Sequence, residues 1–165
     1  MTIEMVYHEL DPVFNRDSKI LILGTIPSPK SRLFGFYYSH PQNKFWRVIA
    51  NVFQEAIPET KEQKEEFLLA HNIAMWDVLQ SCGIKGADDN SITDPIPNDL
   101  SLIINNAEIK AVFTTGKKAT DLYRKLCYPL TGYQSIYLPS TSPANCRNHT
   151  FESLVEAYRI ILKYL

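Results

Sequence analysis

The chain has 165 residues, 45% of them hydrophobic and 21% charged, with a formal net charge of −1. That length and balance fit one globular domain over 1–165 with a core of its own, and exclude a fibrous or low-complexity chain. No apolar run approaches the roughly 18 residues that a bilayer requires. The first residues, with Glu4, His8, Glu9 and Asp11, lack the basic and apolar blocks of a secretion signal, so a cytoplasmic protein with no membrane partner is expected.

Cys82, Cys127 and Cys146 are odd in number, widely spaced and form no CxxC pair. They read as plain core or surface residues, not as a disulfide framework or a metal site. The near-neutral charge advertises no polyanionic partner by itself. Any such contact needs a local patch, for which Lys30, Arg32, Lys44, Arg47, Lys117, Lys118 and Arg147 are available.

In chain order, Lys19–Gly24 is a short β-branched apolar run ending on glycine, the pattern of a buried parallel strand. Pro27, Ser28, Pro29, Ser31 and Gly35 then signal a loop. A helix is expected to begin near Pro41, with Phe45, Trp46, Ile49, Val52, Phe53 and Ala56 on its apolar face and Pro58 closing it. Lys61–Ala70 forms a second amphipathic helix and Ile73–Val78 a second strand. Gly83–Pro97 reads as a long polar loop. A short helix (Asp99–Asn105), a third strand (Ala111–Thr115), a helix opened by Gly116 (Lys117–Cys127), a fourth strand (Ser135–Leu138) and a final helix (Thr150–Tyr164) complete the chain. Alternating strands and helices imply an α/β three-layer α/β/α sandwich around a central, mainly parallel four-stranded sheet.

In such sheets ligands bind outside the carboxyl ends of the strands. Two loops fall there: Gly24–Ser31 (GTIPSPKS), running on to Tyr37–Trp46 (YYSHPQNKFW), and Leu138–Asn145 (LPSTSPAN). Neither matches a dinucleotide or phosphate-loop pattern. Their glycine, proline and small hydroxyl residues suit close backbone approach to a ligand or phosphate, although ordinary turn chemistry accounts for the same composition.

Together the loops carry a resemblance. Glycine followed three positions on by proline (Gly24, Pro27), then Tyr38, His40, Pro41, Asn43, Phe45 and Trp46, resembles the mismatch-specific branch of the uracil-DNA glycosylase superfamily. HPQN, the WDVLQSC stretch (Trp76–Cys82), LPSTSPAN and the LVEAY of the last helix are similar to the hypoxanthine-DNA (deoxyinosine) glycosylase family. The resemblance implies a monofunctional glycosylase that hydrolyses the N-glycosidic bond of deaminated bases in DNA, with hypoxanthine the expected base and uracil a further candidate. It implies no cofactor, no metal and action as a monomer.

One departure matters. Many superfamily members place Asn or Asp two residues after the first glycine to position water, whereas this chain has Ile26; Ser140 stands where other branches have His or Asn. The resemblance therefore implies Asn43 as the catalytic residue, its carbonyl orienting water while its NH2 donates to the base. It implies a base site of Gly24, Thr25, Ile26, Tyr38 and His40, with Tyr38 stacking on an extruded base. His40 reads equally as a structural residue before proline, and one of Tyr37 and Tyr38 is expected to be core. Ser28, Lys30, Ser140, Thr141, Ser142, Asn145 and Lys117 are the expected contacts to the DNA backbone. Ala144 offers only a small wedge. Asp77, Asp88 and Asp89 read as loop and capping residues, Asp89 also as a candidate base contact. The missing polar groups leave a second reading open: a catalytically inactive module that binds damaged nucleic acid.

Overall fold

The computed structural model describes residues 2–145 and 148–165; Cys146 and Arg147 lie outside the described residues. Its centre is a four-stranded parallel sheet in the order β3–β2–β6–β7, formed by β2 (Ile20–Gly24), β3 (Ile73–Asp77), β6 (Ala111–Thr115) and β7 (Ser135–Leu138). β2 and β6 are buried at every position, as strands covered on both faces must be.

Alternation along β2 divides the core. Ile20 and Ile22 face a cluster built with Phe45, Ile49, Phe67, Leu68, Leu154 and Tyr158. These come from α2 (Phe45–Phe53), α3 (Lys61–Ala70) and α7 (Phe151–Tyr158). Leu21 and Leu23 face the other way, onto Ile103, Ala119, Leu122 and Tyr123. Those residues belong to α4 (Ser101–Ile104) and α5 (Lys117–Leu126).

That second face holds the main departure from the sequence reading. Gly83–Pro97 is not a loop. β4 (Leu79–Lys85) and β5 (Asp88–Pro97) form an antiparallel hairpin, and β1 (Glu4–Tyr7) adds to β4, making a second sheet β1–β4–β5. β5 escaped notice because no residue of it is buried, so it carries no apolar period; backbone pairing to the buried β4 holds it. Val6, Leu79, Cys82 and Ile84 pack this sheet onto the core.

Smaller corrections follow the capping chemistry. α1 (Pro29–Phe34) fills part of the expected loop: Ser28 caps it by accepting from Ser31 N, Pro29 opens it, and Gly35 closes it at φ 77°. α2 begins at Phe45, not near Pro41, because the Asn43 side chain accepts from Phe45 N and holds the preceding residues in a turn. α6 (Tyr128–Thr131) follows α5 directly. The last helix is α-helical only to Tyr158 and continues as a 3-10 helix over Arg159–Tyr164. No helix among the described residues is long and apolar enough to cross a membrane.

Candidate active site

The carboxyl ends of β2, β3, β6 and β7 open into a cleft of about 520 Å³. Gly24 and Thr25, Asp77, and Thr115 provide its floor from three adjacent strands. One wall runs from Ile26 and Ser28 to Tyr38, His40 and Asn43, another is Ser140–Ala144, and the hairpin tip Gly86–Asn90 closes a third side. A larger groove, about 790 Å³, lies at the amino ends of the strands among Arg16, Lys19, Asn72 and Lys110. The smaller cleft is the better candidate, because it is the one at the carboxyl ends and the one that gathers both loops.

The two loops are joined by hydrogen bonds. Thr141 Oγ1 donates to Asn43 Oδ1 at 2.8 Å, and Lys44 N donates to Thr141 O at 3.1 Å. Phe45 N also donates to Asn43 Oδ1, at 2.9 Å. A backbone N–H can only donate, so the carbonyl end of Asn43 is fixed and both its lone pairs are used. This corrects the division of labour read from sequence: the carbonyl is committed to the protein. The NH2 group takes no partner among the described residues, and Asn43 lines the cleft.

Tyr37 is the core member of the tyrosine pair, 2% exposed, its hydroxyl donating to Asp11 O at 2.7 Å. Tyr38 is half-buried in the cleft wall at φ 54°, a left-handed conformation that costs energy outside glycine. One face of its ring stacks on Phe45 at 4.2 Å and 14°, and its hydroxyl shares a 3.0 Å hydrogen bond with Thr115 Oγ1. Burial, helped by Asp77, pushes the Tyr38 phenol well above its ordinary range, so it is a neutral hydroxyl at physiological pH. His40 Nδ1 accepts from Gln42 N at 3.0 Å, which puts the ring proton of a neutral imidazole on Nε2. Ile26 lines the cleft with no polar group to offer.

The expected backbone contacts divide. Ser140 and Ser142 line the cleft and bond each other through their hydroxyls at 3.0 Å. Asn145 Nδ2 steadies that loop by donating to Ser140 O at 2.7 Å. Thr141 lines the cleft too, but it is 2% exposed and its hydroxyl donates to Asn43, so that proton braces the site. Ser28 combines cleft lining with capping α1. Lys30 and Lys117 are exposed and stand outside the cleft lining, Lys117 at the first turn of α5 behind Gly116. Gly116 has φ 91°, and a side chain there would meet Ser140 Cβ at 3.3 Å.

Two features escaped the sequence reading, and a third residue, Asp89, gains an electrostatic character the sequence does not show. Asp77 is a floor residue, not a loop or capping residue; its place at the end of a strand was the signal that could have found it. His8, whose Nε2 stands 2.8 Å from Asp77 Oδ2, comes from the far end of the chain and gave no signal. Asp89 lies at the exposed hairpin tip, yet its carboxyl is pushed up to about 6, first by desolvation against the cleft. Lys118 opposes that rise, and Asp88 and Asp77 add to it. No group of three or more His, Cys, Asp or Glu suited to a metal ion gathers among the described residues.

Fold and cleft define an α/β protein whose site at the carboxyl ends of the parallel strands lies between the Tyr38 wall and the two loops that carry Asn43 and Ser140–Ser142. The chain belongs to the uracil DNA glycosylase superfamily, whose family model matches residues 12–165. It is 32% identical over 145 residues to a hypoxanthine DNA glycosylase of Methanosarcina acetivorans, covering 87% of this chain and 90% of that protein. It is 33% identical over 139 residues to a hypoxanthine DNA glycosylase of Methanosarcina barkeri, covering 83% and 87%. The solution NMR structure of a candidate uracil DNA glycosylase from Methanosarcina acetivorans superposes with a TM-score of 0.79 at 28% identity, covering 96% of this chain and 99% of that one.

Proposed function

We propose that this protein is a monofunctional DNA glycosylase that removes deaminated bases, hypoxanthine first and uracil as a further substrate. The observation that carries the reading is the hydrogen bond from Thr141 to Asn43. It locks both family loops around one cleft and leaves the Asn43 NH2 as a preorganised donor at its wall.

In the reaction, the oxygen of water bonds C1′ of the deoxyribose while the C1′–N bond breaks and its electron pair leaves with the base. The sugar keeps the hydroxyl and the base takes the proton, leaving an abasic site. Charge on the departing base is met by the Asn43 NH2, in a site where a fixed dipole acts more strongly than in water. The open face of Tyr38 stacks on the extruded base, while Phe45 backs its other face. Ser140 and Ser142, with Ser28, Lys30, Lys117 and Asn145 around the rim, hold the sugar–phosphate chain. Lys44, the lysine nearest to Asn43 in sequence, joins the site through its backbone, in keeping with hydrolysis rather than Schiff-base chemistry. The reading has one chain act alone, since one chain supplies every wall. It places the enzyme in the reducing cytoplasm, in keeping with the free, buried Cys82 and Cys127.

The test is an oligonucleotide panel carrying deoxyinosine, deoxyuridine or normal bases, incubated with the protein and then with hot alkali. Strand cleavage at deoxyinosine supports the reading. Tight binding to that oligonucleotide with no alkali-labile product would replace it with an inactive damage-binding module.

A further inference from the structure

The chain that leaves β2 at Gly24 joins the cleft wall at Ile26 and Ser28 and returns to it at Tyr38. α1 fills the excursion between them, so it lies beside the mouth of the cleft. Ser31 turns inward: it is 3% exposed, and its hydroxyl accepts from Ser28 Oγ and from Ser39 N, both at 3.2 Å. Its carbonyl accepts from Gly35 N at 2.8 Å and from Phe36 N at 3.2 Å. Phe36, 4% exposed and 5.9 Å from the Trp46 ring, then ties the chain to the core. The short helix is held at both ends.

Its outer face is not what a solvated helix shows. Lys30, Leu33 and Phe34 are three and four positions apart and share one side of α1. Leu33 is 72% exposed and Phe34 56%. Single exposed apolar residues are ordinary, but here two large neighbours stand in water at the rim of a cleft. Charge points the same way. From Ser18 to Gln54 the chain carries Lys19, Lys30, Arg32, Lys44 and Arg47 and no Asp or Glu, in a protein of net charge −1. On the opposite loop of the cleft, Ala144 brings only a methyl.

We propose that the outer face of α1 is the duplex-opening element: Phe34, backed by Leu33, wedges against a base flanking the extruded nucleotide, and Lys30 takes a phosphate of the same strand. The inference rests on the glycosylase reading above. DNA is the occupant because the face is continuous with the cleft and pairs an apolar wedge with cations, the combination that parts stacked bases on a polyanion. The size agrees. Six helical residues span about 9 Å and bases on one strand rise about 3.4 Å each, so α1 covers the two or three nucleotides beside the cleft.

Single-turnover base release is measured on a deoxyinosine duplex. In separate duplexes, 2-aminopurine is placed on either side of the deoxyinosine, where it brightens when its stacking is lost on binding. Leu33→Ser combined with Phe34→Ser slows release by about tenfold or more and at least halves the brightening seen with the parent. Phe34→Trp, which keeps a ring at the position, retains the parent rate. Leu130→Ser, at an 85% exposed leucine of α6 outside the cleft lining, changes neither readout. Lys30→Gln lowers the slope of log affinity against log salt by about one. The inference is overturned if the double variant releases base and brightens the probe as the parent does, if Phe34→Trp is no faster than the double variant, or if Leu130→Ser is equally slow. Should the double variant fail to fold, Phe34→Ser is read in its place, and an unchanged salt slope in Lys30→Gln overturns the inference by itself. A parent that releases no base overturns the glycosylase reading and this inference with it, whereas an active parent with insensitive variants overturns this inference alone.

Discussion

Thr141→Val replaces a hydroxyl by a methyl of the same shape at a site 2% exposed, and so deletes the bond to Asn43 Oδ1 with little repacking. Asn43 keeps its second bond from Phe45 N, so the carbonyl is not orphaned. The cost to stability is therefore at the low end for a lost buried hydrogen bond, about 1 kcal/mol. For a chain of this length that lowers Tm by roughly 2–4 °C. The cost to catalysis is larger in consequence, because the NH2 now swings about one anchor instead of two. A loss of about 1.4 kcal/mol of transition-state stabilisation slows base release roughly tenfold. Thr141→Ser keeps the donor and should stay within about threefold of the parent. Single-turnover release from a deoxyinosine duplex reads the rate, and fluorescence anisotropy on an uncleaved duplex reads binding, which should not change. Thr141→Val within twofold of the parent, or Ser and Val equally impaired, would refute the idea that this hydroxyl positions the amide.

Gly24→Ala should preserve the fold, yet its methyl would arrive 2.6 Å from Asp77 Oδ1 and so crowd the floor. Base release should fall about tenfold or more while affinity for undamaged DNA holds; normal activity would mean that the base does not reach Gly24. Tyr38→Ala should weaken engagement of the damaged base by about 1–3 kcal/mol. It should also cost some thermal stability, because the ring packs on Phe45, whereas full activity would move the stacking role elsewhere. Asp89 binds its proton more tightly folded than unfolded, so its contribution to stability is complete below its unfolded value of 3.8 and is lost as pH rises through about 6. Asp89→Asn should then melt above the parent at pH 8 and level with it at pH 3.5, by a small margin, since the tip is open to solvent. An equal gap at both pH values would show that the carboxyl titrates normally.

β2 and β6 were legible because burial on both faces forces continuous β-branched or apolar runs, and β6 and the half-exposed edge strand β7 both fall at the boundaries read from sequence. The hairpin was illegible for the opposite reason: β5 is mostly Asp, Asn, Ser and Thr, with only Ile92 and Ile96 apolar among its non-proline residues and Pro95 and Pro97 at its end, on a sheet edge. Of the site, Asn43 and Tyr38 were found through the motif that carries them. The Asn43 carbonyl is turned from the cleft by the local bond from Phe45 N, but its second anchor, Thr141, stands 98 residues away, and no local pattern encodes that. The same holds for His8 and Asp77, 69 residues apart, whose partnership exists only once β1 has paired with β4. Tyr37 and Tyr38 are adjacent and chemically identical, and only the positive φ of Tyr38 sends one to the core and the other to the cleft.

The most direct test of the account compares the parent with Asn43→Ala in single-turnover base release from a deoxyinosine duplex, with duplex affinity and thermal stability measured alongside. The account predicts alkali-labile product from the parent and a rate lower by on the order of 10²-fold in the variant, as for deletion of one preorganised donor, with affinity little changed. A parent that yields no product, or a variant within a few-fold of it, would contradict the account.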